Sequence, residues 1–124
     1  MGKFVVRITE KGARFNLKAG NGQVVATSQL YKSLATCKIG VASVAKNAPI
    51  ANVEDLTLEE PEPQINPKFE IYLDKAGEYR FRLKARNGQN ICASEGYSTK
   101  KSCLNGIESV RKNAVDAALE IEEA

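Results

Sequence analysis

Apolar and polar residues alternate over residues 3–8, with Phe4, Val6 and Ile8 on one side and Lys3, Val5 and Arg7 on the other. A period of two marks a strand with one buried face. The alternation returns over residues 68–73, where Phe69, Ile71 and Leu73 form the inward set. It appears again in Phe15-Asn16-Leu17-Lys18 and in Phe81-Arg82-Leu83-Lys84. Both of these runs lead into Asn-Gly, at Asn21-Gly22 and Asn87-Gly88. Asn-Gly between alternating residues is the strongest short-range hairpin signal, because both residues tolerate positive φ. One unit is therefore written twice. The offset changes from 65 to 66 because the turn Asp74-Lys75-Ala76-Gly77 is one residue longer than its counterpart around Lys11-Gly12.

Two loop lengths fit the hairpins. A two-residue loop at Asn87-Gly88 sets Ile91 against Lys84 and, in the first copy, Val25 against Lys18. A three-residue loop, Arg86-Asn87-Gly88 with Gly88 left-handed, sets Ile91 against Leu83, Ala93 against Phe81 and Val25 against Leu17. A slip of one residue turns every side chain to the other face, so the register that keeps apolar beside apolar is favoured. The expected inner face is then Phe81, Leu83, Ile91 and Ala93, or Phe15, Leu17, Val25 and Thr27. The outer face carries Arg80, Arg82 and Lys84, or Arg14, Asn16 and Lys18.

Past the hairpins the period lengthens. Cys103, Gly106, Ile107, Val110 and Ala114 recur at helical spacing over residues 100–112 and beyond, as do Cys37, Gly40, Val41, Val44 and Ala48. Each run predicts an amphipathic helix, with Ser33 or Thr99 as N-cap and Asn47 or Asn113 as a left-handed C-cap. A glycine in mid-helix costs about 1 kcal/mol against alanine. Both copies keep one, at Gly40 and Gly106, which implies a close backbone approach there, either helix to sheet or helix to helix across a pseudo-two-fold axis. The outer side of the first helix has Leu34, Ala35, Ile39, Ala42 and Ala45 where the second has Lys100, Lys101, Asn105, Glu108 and Arg111. The expectation is that the linker or a partner subunit covers it.

The predicted class is α+β: two tandem β-β-β-α repeats with antiparallel strands and one helix each, sharing a single core. Repeat 1 is residues 1–51 and repeat 2 is residues 67–115. An acidic, proline-containing linker (52–66) joins them, and an acidic tail (116–124) follows, either extending the second helix or lying extended with Leu119 matching Val53. A unit of about 50 residues is marginal by itself, which is the reason for one shared core.

The net charge of +3 conceals a partition. Residues 1–51 hold eight basic side chains and one acid, and residues 67–115 hold ten and five. The linker and tail are acidic. No apolar run approaches the roughly 20 residues of a membrane span, and the N-terminus is too soon interrupted by Arg7 for a signal peptide. Three cysteines without Cys-x-x-Cys spacing, in a chain with no histidine, argue against a disulfide framework and a zinc site and for a reducing, cytoplasmic location.

The segment Lys68-Phe69-Glu70-Ile71-Tyr72, Gly77-Glu78-Tyr79-Arg80-Phe81-Arg82-Leu83-Lys84-Ala85, Asn87-Gly88-Gln89, Ala93-Ser94-Glu95-Gly96-Tyr97 and Asn105-Gly106-Ile107-Glu108-Ser109-Val110 with Asn113-Ala114 resembles the YegP-like family. These are small, mostly bacterial, uncharacterised proteins whose short domain often occurs in tandem. The first copy departs from the pattern at Val6-Arg7-Ile8, at Leu30 where the family has glycine, and along its helix. The resemblance implies tandem β-β-β-α units and no activity.

Chemistry is sparse. Cys37 and Cys103 share one inward helix position and read as small apolar residues. Cys92 is expected on the outer strand face beside Arg82, where a cation would lower its pKa. Glu70, Asp74, Glu78 and Glu95 read as lone carboxylates at strand edges and turns, without the paired, shifted acids that acid–base catalysis needs. No catalytic, metal or cofactor-binding residue is expected, nor any cofactor. The outer-face cations Arg14, Lys18, Arg80, Arg82 and Lys84 are the candidate anion-binding set, with Tyr72 the one aromatic beside them. A solvated face, or one neutralised by the acidic linker and tail, is the competing reading. The leading expectation for function is a small non-catalytic cytoplasmic protein acting through protein–protein contact. Its partner is an unknown protein or a second copy at the first helix. The alternative is nucleic-acid or polyanion binding, and an enzyme ranks last.

Overall fold

The computed structural model describes residues 2–123. Three antiparallel strands come first, β1 (Lys3–Thr9), β2 (Gly12–Lys18) and β3 (Val24–Thr27), followed by helix α1 (Leu34–Asn47), a 3-10 turn (Ala48–Ile50) and β4 (Asn52–Asp55). The second half repeats the order with β5 (Lys68–Leu73), β6 (Tyr79–Lys84), β7 (Asn90–Ala93), α2 (Lys100–Ala114) and β8 (Ala118–Glu123). All eight strands form one mixed sheet in the order β4-β5-β6-β7-β3-β2-β1-β8.

The halves meet where β3 lies antiparallel to β7 at Thr27 and Ala93. Each half then sends its last strand to the other: β4 runs parallel to β5, and β8 runs parallel to β1. A parallel pair needs a long connection: residues 56–67 join β4 to β5 without a helix, and the rest of the chain lies between β1 and β8. Part of the expected linker is therefore a strand, as is most of the tail. The acidic side chains of these two strands lie along both margins of the sheet, and Val53 and Leu119 stand opposite Phe69 and Phe4, as their matching implied.

One cluster of buried residues unites both halves, from Phe4, Phe15, Leu17 and Val44 to Phe69, Phe81, Leu83, Ile107 and Val110. Phe4 meets Phe15 edge to face at 5.7 Å between ring centres, and Phe69 meets Phe81 at 5.8 Å. The hydroxyl-bearing rings of Tyr31 and Tyr97 stack on Phe15 and Phe81 at 6.3 Å. Those tyrosines explain the mid-helix glycines. A Cβ at Gly40 would strike the Tyr31 hydroxyl and crowd the Phe15 ring, and one at Gly106 would strike Tyr97 and Phe81. The close approach is thus from helix to aromatic side chain.

Both N-caps form as expected: Ser33 accepts from the Thr36 N–H and Thr99 from the Ser102 N–H. The C-caps do not. Asn47 is right-handed (φ −92°), and Asn113 is not among the residues with positive φ. Each instead donates its side-chain amide back one turn, to Ser43 O at 2.8 Å and to Ser109 O at 2.8 Å, a bond that needs no left-handed backbone.

The three-residue loops are present. Gly22 and Gly88 are left-handed (φ 85° and 83°), with Ala19 closing on Gln23 and Ala85 on Gln89. One residue later the register shifts, so Leu83 stands opposite Cys92 and Arg82 opposite Ala93, with the same shift placing Leu17 opposite Ala26. A bulge at Ile91 and at Val25 absorbs the extra residue. Ala93 and Thr27 accordingly face outward with Arg82 and Asn16, and Cys92 faces inward. The linker does not cover α1: it folds back at the far margin, where Ile65 O accepts from Asn52 and Glu54 accepts from the Gln64 N–H. Ile39 is left 68 % exposed.

Candidate anion-binding face

Both helices and the core lie on one side of the sheet, so outward residues of successive strands form a single face. In the second half that face is a closed charge network. Glu70, 4 % exposed, accepts from Arg82 Nε at 2.7 Å and lies 3.3 Å from both Lys68 and Lys84. Lys68 also reaches Glu54 at 2.8 Å. Arg80 pairs with Asp74 at 2.6 Å and donates to Ser94 O, while the Arg82 guanidinium lies 4.6 Å above the Tyr72 ring. Burial opposes the charged form of Glu70, but its bonds to Arg82 and Lys68 prevail and hold its carboxyl below the usual range. The Arg80 guanidinium does the same for Asp74, and Lys68 for Glu54. Glu70 is thus a buried hub rather than a lone edge carboxylate. Three of the five candidate anion-binding residues, Arg80, Arg82 and Lys84, are ion-paired within the molecule.

The first half has the same strands and different chemistry. Lys3 and Glu120 keep their ion pair at 2.7 Å, matching Lys68 and Glu54. Position 70, however, corresponds to Val5, position 74 to Thr9 and position 82 to Asn16. The two carboxylates that hold the second half's arginines are absent. Arg14 and Lys18 form no ion pair among the described residues, and neither does Arg7, which replaces Tyr72. Arg7 and Arg14 are direct cross-strand partners, an arrangement in which like charges repel. Together with Thr9, Lys11, Asn16 and Leu30 they line a cleft of about 330 Å³, the lower end of the range for small-molecule sites.

The candidate set legible in the sequence holds Arg14 and Lys18 but neither Arg7 nor Lys11. The signal was available, since Arg7 departs from the repeat and falls on the outward side, but its pairing with Arg14 follows only from the register.

The cysteines offer no nucleophile. All three are free and buried. Cys92 departs from the expected outward placement: it lies opposite Leu83 and not beside Arg82 on the surface, and burial pushes its thiol up to about 12. Burial likewise raises Cys103 to about 11. Among the described residues no group of three metal-ligating side chains converges, and no helix is long and apolar enough to cross a membrane.

An α+β chain with one mixed sheet, two helices and a repeated half is the class these features define. The family described as Domain of unknown function (DUF1508) matches it twice, over residues 9–55 and 74–120, and the chain belongs to that family. A UPF0339 protein of Mannheimia succiniciproducens is 38 % identical over 96 % of this chain and 93 % of its own. One from Methanosarcina acetivorans is 54 % identical over 56 residues, which make up 97 % of that relative and 45 % of this chain. A UPF0339 protein in the ptx operon 5′ region of Stutzerimonas stutzeri is 74 % identical over 50 residues, 40 % of this chain and 45 % of that one. The solution structure of a protein of unknown function, yegP from E. coli, superposes with a TM-score of 0.80 at 31 % identity, covering 99 % of this chain and 94 % of that one. These relatives are uncharacterised, and nothing in them indicates catalysis or a specific role.

Proposed function

We propose that this protein is a non-catalytic binding protein that engages polyanions, nucleic acid foremost, through the outer sheet face of its first half. The observation that carries the reading is the contrast between equivalent faces of one molecule: Arg80, Arg82 and Lys84 are ion-paired with Glu70 and Asp74, whereas Arg7, Arg14 and Lys18 form no ion pair among the described residues. The face lacks aromatic platforms for base stacking, so contact is to phosphates and is indifferent to sequence. The two β-β-β-α units, each completed by a strand lent to the other, serve as a rigid mount for that face. Three free, buried cysteines are consistent with a reducing cytoplasm.

Retention on heparin and duplex DNA columns at low salt tests this. Wild-type protein is retained and elutes as salt rises; Arg14→Gln/Lys18→Gln flows through; Arg80→Gln/Arg82→Gln is retained like wild type. Flow-through of the wild type, or equal loss in both variants, contradicts the reading.

A second reading, contact with a protein or a second copy through α1, is favoured by Ile39, 68 % exposed beside exposed Ala35 and Ala42 where α2 has Asn105, Lys101 and Glu108. Sedimentation that gives a dimer for wild type and a monomer for Ile39→Lys supports it; a wild-type monomer that captures no protein from lysate opposes it.

A further inference from the structure

We infer that the cleft between Arg7, Lys11, Arg14 and Asn16 is a discrete site for one phosphate group, free or carried as a monoester on a small organic molecule. This rests on the polyanion face proposed above and gives it a specific seat.

Four observations converge there. Arg7 and Arg14 are direct partners across the β1–β2 ladder, and both side chains line one cleft with no carboxylate paired to either among the described residues. Adjacent guanidinium forks suit the oxygens of a single tetrahedral dianion, each giving paired charge-assisted hydrogen bonds. Asn16 has its carbonyl oxygen engaged by the Thr27 hydroxyl at 2.8 Å, which fixes the amide and leaves its NH₂ as a neutral donor beside them. Lys11, on the β1–β2 turn, lines the same cleft.

The cleft also has an apolar wall. Leu30, 44 % exposed, stands where the second half has Gly96, and it gives the organic part of a monoester something to lie against. The equivalent place in the second half shows what a closed version looks like: Asp74 occupies Arg80, and Tyr72 carries Arg82 on its ring. Glu122 is the Cα partner of Arg7 on the other side, in β8. It forms no ion pair among the described residues, and its charge weakens the site.

Amide chemical shifts of the full chain, followed at constant ionic strength against sodium chloride, inorganic phosphate and phenyl phosphate, test the inference. Phosphate produces saturable shifts at Arg7, Arg14 and Asn16. Phenyl phosphate binds more tightly and adds shifts at Leu30. Arg14→Gln weakens both by about tenfold or more, Glu122→Gln strengthens both, and Arg80→Gln changes neither. Thr9→Asp, which supplies Arg14 with the partner Arg80 has, abolishes binding without removing a cation. Shifts no larger than chloride gives, or shifts unaffected by Arg14→Gln in a protein whose spectrum remains dispersed, overturn the inference. If heparin retention persists in that case, the broader face survives without its seat. If retention is lost as well, both fail.

Discussion

Single side chains decide most of the local outcomes. Gly40 illustrates how a propensity argument reverses under packing. Alanine there should gain about 1 kcal/mol of helix propensity, but its Cβ meets the Tyr31 hydroxyl and the Phe15 ring, and overpacking costs about 1–3 kcal/mol. Gly40→Ala and Gly106→Ala are therefore each destabilising by up to about 2 kcal/mol in urea titrations, and Tyr31→Phe relieves the first only in part, because the Tyr31 ring itself also crowds the added Cβ. Glu70 is the other decisive residue. Glu70→Gln costs about 2 kcal/mol, the scale of hydrogen bonds to charged groups, and frees Arg82 and Lys84. The acid dependence follows from the same groups. Glu54, Glu70 and Asp74 have folded pKa values below their unfolded ones. Their contribution is complete above the unfolded range, about pH 4–4.5, and is lost as pH falls through the lower folded values. Urea midpoints should hold from neutral pH down to that range and drop steeply beneath it; Glu70→Gln should show a shallower drop.

Among the elements, those written in strong patterns were legible and those held by distant pairing were not. The alternation at Phe4-Val6-Ile8 and Phe69-Ile71-Leu73 and the N-caps Ser33 and Thr99 are local signals, and they became strands and helix starts. β4 and β8 carry Glu54, Asp55, Glu120, Glu122 and Glu123, residues that do not favour strands by themselves. They are ordered because β5 and β1 offer free edges in the other half. Register failed for a similar reason: Ile91-Cys92-Ala93 is apolar throughout, so periodicity cannot tell which residue the bulge sets aside. Exchange of last strands carries a consequence. A chain of residues 66–124 alone lacks β1 as partner for its β8 and should dimerise, each copy lending β8 to the β5 of the other. Sedimentation of that fragment checks this, and a folded monomer would argue against exchange as the source of order.

At the scale of the molecule, duplication provides an internal control. Two equivalent faces share strands, twist and the Lys3–Glu120 or Lys68–Glu54 pair, yet one is closed by Glu70 and Asp74 and the other carries Val5 and Thr9. The cationic side of the sheet was readable from the sequence as a whole, but not its division. Which cations are free depends on cross-strand neighbours, and those required the register. A face that keeps Arg7 opposite Arg14 with no ion pair to either among the described residues gives up some stability, so an anion bound there should raise the melting temperature of wild type but not of Arg14→Gln.

The most direct test is duplex DNA affinity, by fluorescence anisotropy across a salt series, for wild type against Thr9→Asp. Giving Arg14 its carboxylate is expected to weaken binding sharply and flatten the salt dependence while the fold is retained. Equal affinity and equal salt slope in the two proteins would contradict this expectation.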